Sequence, residues 1–109
     1  MDERDRRMVT DFKSRLPEEV KSRVSKVLVY GSRAIGVAAE DSDLDVAILV
    51  DRKTVGLERQ IDDVAYQVMW ENDFRPILSV KVFEESRFRK ALREGFSFYK
   101  AIEREGIPL

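Results

Sequence analysis

The chain has 109 residues, of which 43% are hydrophobic, and these values favour a single globular domain spanning residues 1–109. Its 20 Lys and Arg residues nearly balance its 21 Asp and Glu residues, so a net charge of −1 argues against long nucleic acids or acidic membranes as partners. Cysteine and histidine are both absent, which excludes disulfides, cysteine-ligated zinc and an imidazole base. No apolar run approaches the roughly 20 residues that span a bilayer, so we expect a cytoplasmic protein.

The first half of the chain alternates between helical and strand patterns. Apolar residues at helical spacing predict an amphipathic helix over 3–16 and a shorter one over 17–24. Two short apolar runs, over 26–30 and 43–50, are typical of buried strands. The second run is apolar on both faces at its end, which indicates a central strand covered on both sides.

The second half continues the alternation. Apolar residues at i, i+4, i+7 and i+8 predict the longest helix over 54–71, and a third strand is predicted over 76–83. Two helical pieces separated by Gly95 follow, and the tail 105–109 cannot continue a helix. The order of elements predicts an α/β (α+β) domain.

Asp43 and Asp45 stand two residues apart at the start of the second predicted strand. Side chains alternate between the faces of a strand, so both carboxylates should lie on one face. Such a pair suits Mg²⁺, which takes one or two carboxylates and completes its shell with water and phosphate oxygens. Taken alone, Ser42-Asp43-Leu44-Asp45 fits a solvated strand entry as well as it fits a metal site.

Gly31-Ser32 ends the first predicted strand. Glycine permits a sharp turn and close approach of a ligand to the backbone, and a helix beginning at Ser32 would direct free N–H groups toward an anion. Alone, the pair is typical of an ordinary turn with a helix cap. Together with the aspartate pair that follows a short loop, it predicts a combined metal and phosphate site.

These residues carry a resemblance to a known family. Gly31-Ser32, a short loop, and Ser42-Asp43-Leu44-Asp45 before aliphatic residues resemble the signature of nucleotidyltransferases of the DNA polymerase beta superfamily, and the short chain resembles the minimal nucleotidyltransferase branch. The resemblance covers residues 27–50 and implies a small mixed β-sheet flanked by α-helices. It also implies that Gly31 and Ser32 bind the nucleotide's triphosphate, with Arg33 adding a charge-assisted contact, and that Asp43 and Asp45 bind magnesium.

Two positions depart from the family pattern. Ile35 stands where many members have arginine. The family usually carries a third carboxylate on a later strand, and the predicted third strand lacks it. Because side chains alternate along a strand, Ser79 and Lys81 would face the aspartates instead. An alternative geometry turns Lys81 toward solvent and takes the third metal ligand from Glu84 or Glu85 at the strand's end.

The resemblance implies transfer of a nucleoside monophosphate, with AMP from ATP as the first choice, to a hydroxyl acceptor. It also implies a partner, because minimal nucleotidyltransferases often act as antitoxins beside helical HEPN nucleases and some adenylylate the toxin. An inactive or weakly active antitoxin that acts by partner binding is the alternative, and a nucleotide sensor is a third. The acceptor, the base preference and the oligomeric state, with a homo-oligomer as one option, stay open.

Overall fold

A computed structural model describes residues 1–109 as a four-stranded mixed sheet with helices on both faces. The elements in chain order are α1 (Glu3–Arg15), α2 (Glu18–Lys21), β1 (Val24–Tyr30), α3 (Ser32–Ile35), β2 (Leu44–Val50), α4 (Val55–Glu71), β3 (Leu78–Glu84), α5 (Glu85–Arg93), α6 (Ser97–Glu105) and β4 (Ile107–Pro108). The strand order is β3-β2-β1-β4, with β1 antiparallel to both neighbours and β2 parallel to β3. The predicted α/β class with a small mixed sheet is confirmed.

The larger part of the core lies on the face of the sheet covered by α1 and α4. Alternate residues of the strands, such as Val29, Val46 and Ile48, are buried there against apolar residues of α1 and α4. Helix α4 begins where the Thr54 hydroxyl accepts a hydrogen bond from the Leu57 N–H at 3.1 Å, and it matches the predicted helix within one residue.

The opposite face carries a smaller apolar cluster. Leu28, Ala47 and Leu49 are buried there by Phe88 of α5 and Ile102 of α6. Because β2 is covered on both faces, its residues from Val46 to Val50 are all buried, as a central strand requires. Tyr30, which pairs with Asp45, is the member of this cluster nearest the start of β2, and Asp45 itself is half-buried.

Two elements differ from the sequence-based expectation, and the helix considered from Ser32 is present but short. The second helix is only Glu18–Lys21, because β1 already begins at Val24. Helix α3 is a single turn, which Gly36 closes with a φ of +80°. The tail forms β4, which pairs with Leu28 and Val29 of β1 and was not predicted as a strand. None of the helices combines the length and the apolar character needed to cross a membrane.

Candidate active site

The two aspartates predicted to bind metal lie at the start of β2, close enough for the charge of one to affect the other. Asp45 is the second residue of β2, and Asp43 precedes the strand. Burial raises the pKa of the Asp45 carboxyl above its ordinary value, the charge of Lys81 lowers it, and the negative charge of Asp43 raises it further. Neither carboxylate forms an ion pair or accepts a side-chain hydrogen bond. The pair therefore offers unpartnered oxygens to a cation.

Gly31 lies directly against one of these carboxylates. Tyr30, the last residue of β1, pairs with Asp45 across the antiparallel ladder, so the chain leaving β1 passes over the Asp45 side chain. Gly31 has a φ of +79°, and a Cβ at this position would lie 2.6 Å from Asp45 Oδ2. Glycine is therefore required here by both backbone conformation and space.

The turn after Gly31 presents free backbone donors. The Gly31 carbonyl accepts the N–H groups of Ala34 and Ile35 at 3.1 and 3.3 Å, whereas the N–H groups of Ser32 and Arg33 have no partner in the chain. Because α3 is one turn long, its dipole is small, and the turn can bind an anion chiefly through these individual N–H groups.

The register of β3 decides which residues face the aspartates. Asp45 is opposite Ser79 and Ala47 is opposite Lys81, so Ser79 and Lys81 share the face of Asp45, as their alternation predicts. Lys81 is exposed and lowers the pKa of Asp45 by its charge, but it forms no ion pair with either aspartate. The chain has no group of three or more His, Cys, Asp or Glu side chains arranged to hold a metal.

The alternative in which Glu84 or Glu85 completes the metal site is wrong. Glu84 is opposite Val50, five residues along the ladder from Asp45, which is about 16 Å at ~3.3 Å per residue. Its carboxylate accepts the Lys53 N–H at 3.1 Å, and that of Glu85 binds Arg89 at 2.7 Å.

Arg33, predicted to contact phosphate, has most of its donors occupied. Its Nη1 lies 3.0 Å from Asp5 Oδ2 in α1, its Nε donates to the Ser42 carbonyl at 2.7 Å, and its Nη2 donates to the Glu40 carbonyl at 2.7 Å. The side chains of Arg33 and Asp5 are only 14% and 4% exposed. Nothing in the sequence pattern links Asp5 to the motif, because their contact depends on how α1 packs.

Tyr30 was also missed by the sequence analysis. Its hydroxyl is buried without a hydrogen-bond partner, and its ring makes an edge contact with Phe98, at 6.2 Å between centroids. Burial and the charge of Asp45 raise the pKa of Tyr30 to about 12. The fold thus keeps an unsatisfied polar group beside the aspartate site.

Comparisons with known proteins identify the type of domain and its fold. The model of a family described as "Nucleotidyltransferase domain" matches residues 9–105. A crystal structure from Sulfolobus solfataricus, described as that of a "putative nucleotidyltransferase", superimposes with a TM-score of 0.52 at 18% identity and covers 95% of this chain and 80% of its own. At that identity the likeness concerns the fold. No curated protein matches the sequence.

Replacing Gly31 with Ala tests the close contact with Asp45. The new Cβ must displace the Asp45 carboxylate, whereas in the control Gly36→Ala, at a φ of +80°, no atom lies within 4 Å of the Cβ. We expect Gly36→Ala to reduce the free energy of unfolding by about 1 kcal/mol through backbone strain alone, and Gly31→Ala to reduce it clearly more. Chemical denaturation of both variants measures the difference, and equal losses would contradict the contact.

Replacing Asp45 with Asn tests the electrostatic cost of the site. Because the folded state raises the pKa of Asp45 above its ordinary value of 3.8, the ionised side chain costs stability, and this cost grows as the pH rises through that window. Without metal, Asp45→Asn should therefore stabilise the fold at about pH 7 and give little gain at about pH 3. Urea denaturation at both pH values measures this, with the exposed Asp63→Asn as control. A loss of stability of Asp45→Asn at neutral pH would refute the conclusion that the ionised Asp45 side chain costs stability.

Proposed function

Because this chain belongs to the nucleotidyltransferase domain family, we propose that it transfers a nucleoside monophosphate, AMP from ATP in the first instance, to a hydroxyl group and releases pyrophosphate. The observation that supports this most strongly is the contact of Gly31 with the Asp45 carboxylate. It joins a turn with free N–H donors and a pair of unpartnered carboxylates in one small site. Phosphoryl transfer needs such a combination, because it depends on positioning and on neutralising phosphate charge.

Asp43 and Asp45 are the residues that would hold Mg²⁺. They fit the ion because neither carboxylate carries an ion pair, and the charge of Asp43 raises the pKa of Asp45, as expected of two like charges that a cation would balance. When bound, a divalent cation would neutralise the charge that develops on the transferred phosphate. The free N–H groups at Gly31-Ser32 would hold the oxygens of the β- and γ-phosphates beside it.

The acceptor hydroxyl lacks an evident activating group on this chain. The family's third carboxylate position is taken by Ser79 and Lys81, and no histidine is present to act as base. Transfer by this chain is therefore expected to be slow. The acceptor we favour is a hydroxyl of a protein, in the first place a HEPN-type helical toxin, and the chain would then serve as its antitoxin.

Lys81 supports the alternative function, in which the chain binds a partner or a nucleotide and turns over little or nothing. Its ammonium is the only charge that lowers the pKa of Asp45, and it partly balances the aspartate pair without a metal. A site balanced in this way can persist in an unliganded state. The chain would then neutralise a helical toxin partner by contact with it.

The metal assignment is tested by Asp43→Asn and Asp45→Asn. Each change should weaken binding of Mg·ATP by about tenfold or more, which is about 1.4 kcal/mol, while leaving the protein folded. Isothermal titration gives the affinities, and transfer of label from α-labelled ATP, with and without the product of the neighbouring gene, gives the activity. Asp63→Asn on α4 is the control. Wild-type affinity in both variants would refute the site.

Lys81→Asp tests whether the missing third carboxylate limits the reaction. The change places a carboxylate diagonal to Asp45, two residues along the ladder on the same face of the sheet, so Mg²⁺ should bind more tightly and any transfer should become faster than in the wild type. Lys100→Asp on α6 makes the same charge change away from the site. The idea fails if Lys81→Asp improves neither the magnesium affinity nor the turnover.

A further inference from the structure

Asp5 is the one charged residue of the chain that is fully buried, with 3% of its surface exposed. It lies in the first turns of α1, far in sequence from the Gly31-Ser32 motif, and its carboxylate receives both Nη1 contacts of Arg33, at 3.0 and 3.3 Å. A buried ion pair is costly to assemble and is retained only where its geometry is well satisfied. Here the pair is extended by two further hydrogen bonds, and these lead to the metal site.

Those two hydrogen bonds hold the segment that precedes Asp43. Arg33 Nε binds the carbonyl of Ser42, and Nη2 binds the carbonyl of Glu40, both at 2.7 Å. Because a peptide unit is planar, fixing the Ser42 carbonyl also fixes the direction in which the chain enters Asp43. The other hydrogen bonds of the segment are local: Ser42 N–H and Oγ both donate to the Ala39 carbonyl.

The same arginine therefore connects three parts of the fold. Asp5 anchors it to α1, its own backbone belongs to α3 directly after Gly31, and its guanidinium fixes the residues before Asp43. The guanidinium makes four contacts with three groups: the Asp5 carboxylate and the Ser42 and Glu40 carbonyls. A lysine ammonium is a compact point charge and cannot reach these three groups in fixed directions. The arrangement ties the residues before Asp43 to α1 and α3.

We propose that Asp5 and Arg33 are positioning residues of the metal site, which hold Asp43 at the separation from Asp45 that a divalent cation requires. This inference rests on the proposed function, since it assumes that the aspartate pair binds metal. It assigns Arg33 to the protein's own carbonyls and not to a phosphate. It also makes the N-terminal helix α1 part of the active-site framework.

The test is titration of the full chain with Mg²⁺ alone, without nucleotide. Arg33→Lys and Asp5→Asn should each weaken Mg²⁺ binding roughly 10- to 100-fold, the range seen when groups that orient metal ligands are removed. The matched control is Arg15→Lys, because Arg15 also joins α1 to another element, through contacts of 2.6 and 2.7 Å with Glu71, but is remote from Asp43 in the chain. The control should lose stability and keep its Mg²⁺ affinity.

Two further measurements separate positioning from a general loss of structure. In an Asp43→Asn background, Arg33→Lys should cause no additional loss of Mg²⁺ affinity, because the ligand that it positions is gone. In Arg33→Lys, amide hydrogen exchange should become faster at residues 40–44, and in Arg15→Lys it should not. These readouts remain informative if Asp5→Asn folds poorly.

Three outcomes would overturn the inference. If Arg33→Lys binds Mg²⁺ as the wild type does, the contacts of Arg33 with Asp5, Ser42 and Glu40 do not position the metal site, although the proposed function stands. If Arg33→Lys weakens binding of ATP but not of Mg²⁺ alone, Arg33 is a phosphate ligand, as the sequence predicted. If the wild type binds neither Mg²⁺ nor Mg·ATP, the proposed function fails together with the inference.

Discussion

The pairing of Tyr30 with Asp45 is the constraint from which the site follows. It places the end of β1 beside the start of β2, so the turn that leaves β1 must cross the Asp45 carboxylate. Only a glycine with positive φ fits that crossing. The turn's free N–H donors and the acidic pair are thereby brought together by backbone geometry, and the rest of the sheet serves to hold these two strand ends in register.

The positive charges around the two aspartates are arranged differently from what the sequence motif alone suggests. Arg33 is close to the aspartates in the sequence pattern, and Lys81 is close to them on the sheet. The two cations have different roles. Arg33 is committed to Asp5 and to two carbonyls, whereas Lys81 stays exposed on the aspartate face. Lys81 is therefore a cation available to a phosphate or an aspartate at this site, which is why the proposed reaction and its alternative make different predictions for Lys81→Asp.

Local pattern predicted the parts of this site that local geometry controls. Strand alternation correctly placed Asp45, Ser79 and Lys81 on one face, and periodicity placed the helix now seen as Val55–Glu71, because side-chain spacing depends only on neighbouring residues. The contact of Asp5 with Arg33 and the short strand β4 could not be predicted. Both depend on where distant segments dock: α1 against the loop, and the chain end against β1. The Glu84 alternative failed for the same reason, since only the register shows that this residue lies at the far end of the strand.

Several polar groups without a partner in the chain lie around the start of β2. The Asp45 carboxyl is partly buried without a cation, the N–H groups of Ser32 and Arg33 have no acceptor, and the Tyr30 hydroxyl is buried without a partner. Elsewhere the core is apolar, apart from the paired Asp5. In the proposed function these groups have a role, because a bound cation and phosphate would satisfy them. A cation with a bound phosphate supplies the positive charge that Asp45 lacks and the oxygens that the two N–H groups lack, so its binding should stabilise the fold as well as assemble the reactants.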